Sequence, residues 1–382
     1  MQKVLVAEIG TMTTVVNAFG DLDTKNPLLL GQGLSTTKVL DGDIEIGLRQ
    51  AVTNLENEIG PVGSLGEIPF YVTISLPTQS AVQEVSELVQ LKLNIGASVG
   101  ESTSFAAKDS YQERAARQNH PPEAFVTEVE IGTPTYRSGS LGIDEQYILD
   151  APGMREISQI INGRILLTPG AIMQAAHLIS EEVGDVLVID VGSVSTDVYS
   201  VTLGTGKDQN SNLKSEPLAL RTVEKDLGVF SNALTLVKLI GENVIELHHG
   251  QGWEKLLKSK PESSEEMALC AELTAAAVSI ALQRHIGRLF NDNVSANVTG
   301  VEGRDLTQIR WIVGTGEVLT RQTNGLKIMR ESIKGVEDAM ISQEGIALLL
   351  DKDCLMASLG VLTTTFRQGV WQLLRESFGV EN

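Results

Sequence analysis

Leu187-Val188-Ile189-Asp190-Val191-Gly192-Ser193-Val194-Ser195-Thr196-Asp197-Val198-Tyr199-Ser200-Val201 is the stretch whose reading decides the fold. An apolar strand ends in an acid, a small-residue turn follows, and a hydroxyl-rich strand begins. A carboxylate at the end of a buried strand can hold a divalent cation through its waters. A glycine turn brings backbone N–H groups up to phosphate oxygens, and Thr196 offers a further donor. The chain opens with a similar device, Val4-Leu5-Val6-Ala7-Glu8-Ile9-Gly10-Thr11-Met12-Thr13-Thr14-Val15. A third element, Val313-Gly314-Thr315-Gly316-Glu317, is a glycine turn between a strand and a helix, against which a base or ribose can lie. Singly, each reads as a tight turn between core strands. Together they make a site from Glu8, Gly10, Thr11, Thr13, Thr14, Asp190, Gly192, Ser193, Thr196, Gly314, Thr315, Gly316 and Glu317.

Bulk properties set the outer bounds. A chain of 382 residues, 42% hydrophobic, has ample material for more than one core, and two lobes are the natural expectation. A net charge of −19 with only 4% aromatic residues argues against a nucleic-acid surface, which needs clustered cations and stacking rings. The N-terminus shows no secretory pattern, and the apolar run Met267–Phe290 is broken by Glu272, Gln283, Arg284, His285 and Arg288, so no membrane span is expected. Cys270 and Cys354 lie far apart and fit reduced thiols of a cytoplasmic protein.

Along the chain, Val4–Ile9 and Thr13–Phe19 read as strands around Gly10-Thr11, with Leu28–Leu30 and Lys38–Leu40 as further strand pieces. Ile46–Ile59 has helical spacing and stops at Gly60-Pro61; Tyr71–Leu76 is a strand. From about Gly96 to Gly153 no period dominates. Ile161–Leu167 restores order before a helix with Thr168 as N-cap and Pro169 as its first residue. Ser263-Ser264-Glu265-Glu266 has capping-box spacing, Ile309–Val313 is a buried strand, and Asp353 is placed to cap a last helix. Strand–turn–strand with an acid and a hydroxyl cluster recurs once per half, which suggests two related lobes facing one ligand.

In that order the three elements resemble the phosphate-1, phosphate-2 and adenosine motifs of the actin/Hsp70/sugar-kinase superfamily. More narrowly, the chain resembles the glutamate mutase L family, including its ornithine-degradation relatives. Ala7–Thr14, Gly31–Thr37, Gly42–Leu48, Ala151–Met154, Thr168–Ala171, Arg221–Gly228, Gly314–Arg321 and Asp351–Gly360 carry the likeness. It implies an α/β, two-lobed actin-like ATPase with ribonuclease H-like lobes and an interlobe nucleotide cleft. The lobes would span 1–167, with a variable, shortened region around 77–150, and 168–352; helix 353–382 would pack back on the first lobe. It further implies ATP and Mg²⁺ as cofactors, Asp190 and Glu8 at the metal and the attacking water, and Thr11, Thr13, Thr14 and Thr196 on the phosphates. The expected partners are adenosylcobalamin-dependent mutase or aminomutase subunits, which an ATP-driven lobe motion would reactivate. Three departures stand out: Glu8 where the superfamily usually has aspartate, Ser193 for a second glycine, and Glu317 for a small residue.

Two other functions fit the same pattern, a nucleotide-binding scaffold without hydrolysis and a small-molecule kinase, although no residue cluster names an acceptor base. His248-His249 carries no carboxylate–histidine spacing of a metal site. Glu224 and Asp226 beside Arg221 and Lys225 read as a solvated helix start, with contact to the nucleotide as the alternative, and Asp197 reads as a partner of nearby turn amides.

Overall fold

The computed structural model describes residues 2–37, 44–75, 154–202, 219–286, 288–291, 299–302, 306–336, 341 and 345–380. In the first half, β1 (Lys3–Ile9), β2 (Thr13–Gly20) and β3 (Leu28–Thr36) form an antiparallel meander. Helix α1 (Ile44–Ile59) leads to β4 (Phe70–Ile74), parallel to β1. After α2 (Met154–Ser158), β5 (Ile165–Leu167) adds to β4 in parallel, and α3 (Thr168–Val183) follows at once.

The second half repeats this plan. β6 (Val186–Val191), β7 (Thr196–Val201) and β8 (Ala219–Glu224) are the meander. Helices α4 (Ala233–Ile240), α5 (Glu242–His249) and α6 (Ser264–His285) intervene, then the hairpin β9 (Arg288–Asn291) and β10 (Thr299–Glu302). β11 (Trp311–Thr315) runs parallel to β6, and α7 (Glu317–Thr320) and α8 (Gly325–Lys334) connect it to β12 (Ala347–Leu350), parallel in turn to β11. Helices α9 (Met356–Gly360) and α10 (Arg367–Ser377) end the chain's described part. The sheet orders are β3-β2-β1-β4-β5 and β12-β11-β6-β7-β8, the same meander-plus-two-parallel-strands arrangement twice. This is the two-lobed α/β actin-like architecture.

Strand periodicity explains how the sheets are covered. Successive side chains in a strand point to opposite faces, so a strand buried on both sides is apolar throughout. In β1, Leu5, Ala7 and Ile9 face α1, while Val4 and Val6 join a central core with α3, α9 and α10. In β6, Leu187, Ile189 and Val191 face α4, α6 and α8, while Val186 and Val188 join that same central core. The layers are therefore helix, sheet, shared helices, sheet, helix. Glu8 shares the parity of Val4 and Val6, and Asp190 that of Val186 and Val188. Both acids are thereby turned toward the space between the sheets.

The shared layer is tight where α3 meets α9. A Cβ on Gly360 would fall 1.9 Å from the Ala171 carbonyl oxygen, a backbone atom that cannot step aside. Arg367, at the start of α10, ties that helix to the end of α3 through Glu181 (2.5 Å) and Glu182 (2.8 Å).

Several sequence expectations are corrected. The third strand is one continuous element; its glycines, Gly31 and Gly33, lower strand propensity without breaking pairing, and Lys38–Leu40 falls outside the described residues. So does the expected variable region, 77–150. The long apolar helix stops at His285, and Arg288–Asn291 is a strand. Thr168 is inside α3 rather than its cap: β5 runs straight into the helix, so the N-cap falls on Leu167 and the Thr168 hydroxyl has no partner. Asp351, not Asp353, caps α9, accepting from Leu355 N (3.0 Å) and Met356 N (2.8 Å). The Ser263–Glu266 capping box is present as read. No helix among the described residues is long and apolar enough to cross a membrane.

Two glycines make a matched test. Gly360→Ala overpacks the shared layer and is expected to cost about 1–3 kcal/mol in urea unfolding. Gly170→Ala, in the first turn of α3 with open space around it, is expected to be neutral or stabilising by up to about 1 kcal/mol. Equal effects at the two positions would show that helix contact is not what Gly360 serves.

Candidate functional site

A cavity of about 730 Å³ opens between the sheets. Its walls include Glu8, Gly10, Thr11 and Thr13 from the first half, and Asp190, Gly192, Ser193, Gly316 and Glu317 from the second. These nine expected site residues are brought together. The two turns are built alike: Gly10 N–H donates to the Thr13 carbonyl at 2.9 Å, and Gly192 N–H to the Ser195 carbonyl at 3.0 Å. The second turn is braced from behind, because the Ser193 carbonyl accepts from Phe230 N (3.0 Å), Ser231 N (2.9 Å) and the Ser231 hydroxyl (2.9 Å). Ser193 is not in the left-handed region; among the described non-glycine residues only Asp21 and Cys354 have positive φ.

Four expected site residues do not line the cavity: strand parity turns Thr14, Thr196 and Gly314 outward, and Thr315, on the inner face beside Asp190, is tied to Asp351. Thr14 pairs with Ile9, and Thr196 with Val191, so both sit on the outer side of their sheets. The Thr14 hydroxyl bonds the Thr37 hydroxyl (2.8 Å), and Thr196 donates to the Leu227 carbonyl (2.8 Å). Gly314 packs against Met329 and Leu319, and Thr315 donates to Asp351 Oδ2 at 2.8 Å. These residues stiffen the walls. Gly316, by contrast, must be glycine: its φ is 90°, and a Cβ would fall 2.3 Å from Asp190 Oδ1.

The electrostatics of the cleft centre on its acids. Burial, then the nearby Asp190 and Asp351 carboxylates, push Glu8 up to about 8, against a weaker opposing bond from the Ser358 hydroxyl (3.3 Å). Burial and then Asp197 push Asp190 up to about 7, with Arg221 opposing. Each carboxyl thus keeps its proton to a higher pH than an ordinary carboxylate, because desolvation and like charge both penalise the ionised form. Asp197 does not bond turn amides as expected. It pairs with Arg221 (Nη2 2.6 Å, Nε 3.1 Å) and accepts from the Tyr199 hydroxyl at 3.3 Å, while its Oδ1 is buried without a partner.

Arg221 and Lys225 line the cleft, so that stretch is not a solvated helix start. It is the end of β8, and Glu224 and Asp226 clamp Arg284 at 2.6 and 2.7 Å. Lys352, Arg321 and Cys354 also stand on the cleft wall; the sequence reading gave none of them a part in the site and took Cys354 as a reduced thiol. Cys354 carries the signal of a left-handed φ of 52°. The more consequential omission is Asp351, fully buried, which gathers Thr315, Leu355, Met356 and Ser377. His248 and His249 do share a carboxylate, Glu272, at 2.9 and 2.8 Å. Among the described residues no group of three or more His, Cys, Asp or Glu is arranged to hold a metal directly.

The chain is similar to several known proteins. The MutL protein family matches residues 143–378. Protein MutL of Clostridium tetanomorphum is 28% identical over 235 residues, which cover 56% of this chain and 51% of that protein. The chain thus spans about half the length of the curated relative it matches. Among solved structures, component A of the Acidaminococcus fermentans (R)-2-hydroxyglutaryl-CoA dehydratase is 10% identical, with a TM-score of 0.42 over 97% of this chain and 99% of that one. The ethanolamine utilization protein EutJ of Carboxydothermus hydrogenoformans is 13% identical, with a TM-score of 0.43 over 94% and 89%. A ROK family glucokinase of Streptomyces griseus, solved with glucose and AMPPNP, is 12% identical, with a TM-score of 0.38 over 98% and 99%. With the family match running through more than half of its length, the chain belongs to the MutL protein family.

Proposed function

We propose that the cleft binds ATP together with Mg²⁺, and that the chain is an accessory protein to an adenosylcobalamin-dependent mutase or aminomutase, reactivating it through lobe motion. The observation that carries the nucleotide half is the mirrored pair of turns, Gly10–Thr13 and Gly192–Ser195, lining one cavity with Glu8 and Asp190 between them. Thr11, Thr13 and Ser193 offer hydroxyls to phosphate oxygens, and Gly316 presents its backbone on the cleft wall. Family membership supports the mutase half.

The residues fit a cation. Glu8 and Asp190 hold protons that a positive charge would displace, and Asp197 Oδ1 is a buried acceptor with no donor. A bound Mg²⁺ supplies neutralisation of phosphate charge and a fixed geometry for it. Around it, Asp190 and Glu8 orient waters, the two turns hold the phosphates, and closure of the halves excludes bulk water. Contacts made from both sheets to one ligand exist only when the halves are close, so binding favours the closed form and release favours the open one. A second reading, a nucleotide-responsive scaffold without turnover, is favoured by one observation: the hydroxyls of Thr14, Thr196 and Thr315 are spent on the walls.

Binding of ATP with MgCl₂ by calorimetry, and phosphate release by the purified chain, test the proposal. Asp190→Asn is expected to lower any phosphate release by about 100-fold or more. Binding without release selects the scaffold; unchanged release in the variant removes Asp190 from its role. Cobalamin enzyme in a pull-down from native extract tests the partner, and a mutase that ignores the protein refutes it.

Stability should carry the same signature. Glu8 and Asp190 keep protons when folded that they surrender when unfolded, so the folded state loses ground as pH rises from the ordinary carboxylate range to about 8. Melting temperature is expected to fall across that window, less steeply in Glu8→Gln. Added MgCl₂ should restore it at pH 8 and do little at pH 5. A flat profile would remove the basis for a cation at these carboxyls.

A further inference from the structure

Glu317 puts a negative charge where a phosphate-binding turn has least use for one. Its position is dictated by its neighbour, since Gly316 lies against Asp190 and Val191 with no room for a side chain and delivers the next residue to the cleft. Glu317 Oε1 accepts the Ser193 hydroxyl proton at 2.8 Å. The other oxygen lies 3.6 Å from Arg321, whose side chain is 45% exposed and therefore well screened by water. Ser193 is at the tip of the braced turn and lines the cavity, as Glu317 does. The carboxylate is also close enough to Asp190 and Glu8 to act on both. A hydroxyl has one proton to give. A phosphate oxygen arriving at Ser193 must take that proton from Glu317 and then sit beside the carboxylate it displaced.

We propose that Glu317 competes with phosphate for Ser193 and so sets the cleft to accept a nucleoside triphosphate only in company with a divalent cation. This rests on the nucleotide reading above and adds a selection rule to it. Free triphosphate meets the Glu317 carboxylate with nothing to offset its charge. A triphosphate that brings a cation meets Glu317, Glu8 and Asp190 as oxygen partners for that cation. Glu317 is a specificity-determining residue in this scheme, and the Ser193 hydroxyl is the group contested.

Calorimetric titration of the full chain with ATP, with ATP plus MgCl₂, and with adenosine tests this in wild type, Glu317→Gln, Glu317→Ala and Ser193→Ala/Glu317→Gln. Wild type should favour the magnesium complex. Either Glu317 substitution should tighten binding of magnesium-free ATP by about tenfold, the effect of removing one nearby like charge, and leave adenosine unchanged. Adding Ser193→Ala should cancel much of that gain, because the contested donor is gone. Weaker binding of both ATP and adenosine in the Glu317 variants would mean the carboxylate holds the sugar, and unchanged ATP binding would mean it holds nothing; either result overturns the proposal while leaving the nucleotide site intact. Failure of every form, folded by its melting curve, to bind ATP with or without MgCl₂ would overturn the nucleotide reading itself. The two variants at 317 guard against a single misfolded one.

Discussion

Two half-buried carboxyl groups on the wall of one cleft set the terms for everything around them. Glu8 and Asp190 occupy corresponding positions on corresponding strands, one residue short of the ends of β1 and β6. Their orientation is not a local choice. A strand slipped by one residue would turn every apolar side chain to the wrong layer, so the cores that hold Val4 and Val6, or Val186 and Val188, also hold the acids in place. Burial raises the cost of charge at both, and proximity of further acids raises it again. Acids kept where ionisation is costly do not serve stability, and such positions are where candidate sites are sought.

The remaining polar groups divide by face. Outward hydroxyls close the walls by bonding neighbouring loops, as Thr14 does with Thr37 and Thr196 with Leu227. Inward ones bond the acids, as Ser193 does Glu317, Ser358 does Glu8 and Thr315 does Asp351. Asp351 works between the classes: one buried carboxylate ties together the end of β11, the start of α9 and the end of α10.

Much of this was legible in the sequence, and the parts that were not share a cause. The acid–turn–hydroxyl pattern at Glu8–Thr14 and Asp190–Thr196 is local, and it led to the cleft. The capping box at Ser263–Glu266 is local too. Thr14 and Thr196 were misread because nearness to a turn was counted and strand parity was not. The continuity of β3 was hidden by Gly31 and Gly33, whose weak propensity is overridden by pairing along β2. Asp351 could not be found at all, since its four donors come from residues 315, 355, 356 and 377. Glu224 and Asp226 find Arg284 some sixty residues on, beyond the reach of any spacing rule.

Ser358 joins the first strands to nearly the last helix. Asn17 donates to its hydroxyl at 2.8 Å, and that hydroxyl reaches back to Glu8, contacts separated by 341 and 350 positions. Asn17 is wholly buried in the finished molecule. Asn17 and Ser358 lie 341 positions apart, so closing this contact carries a large loop-entropy cost, and a chain cut before α9 leaves the buried Asn17 amide without its Ser358 partner.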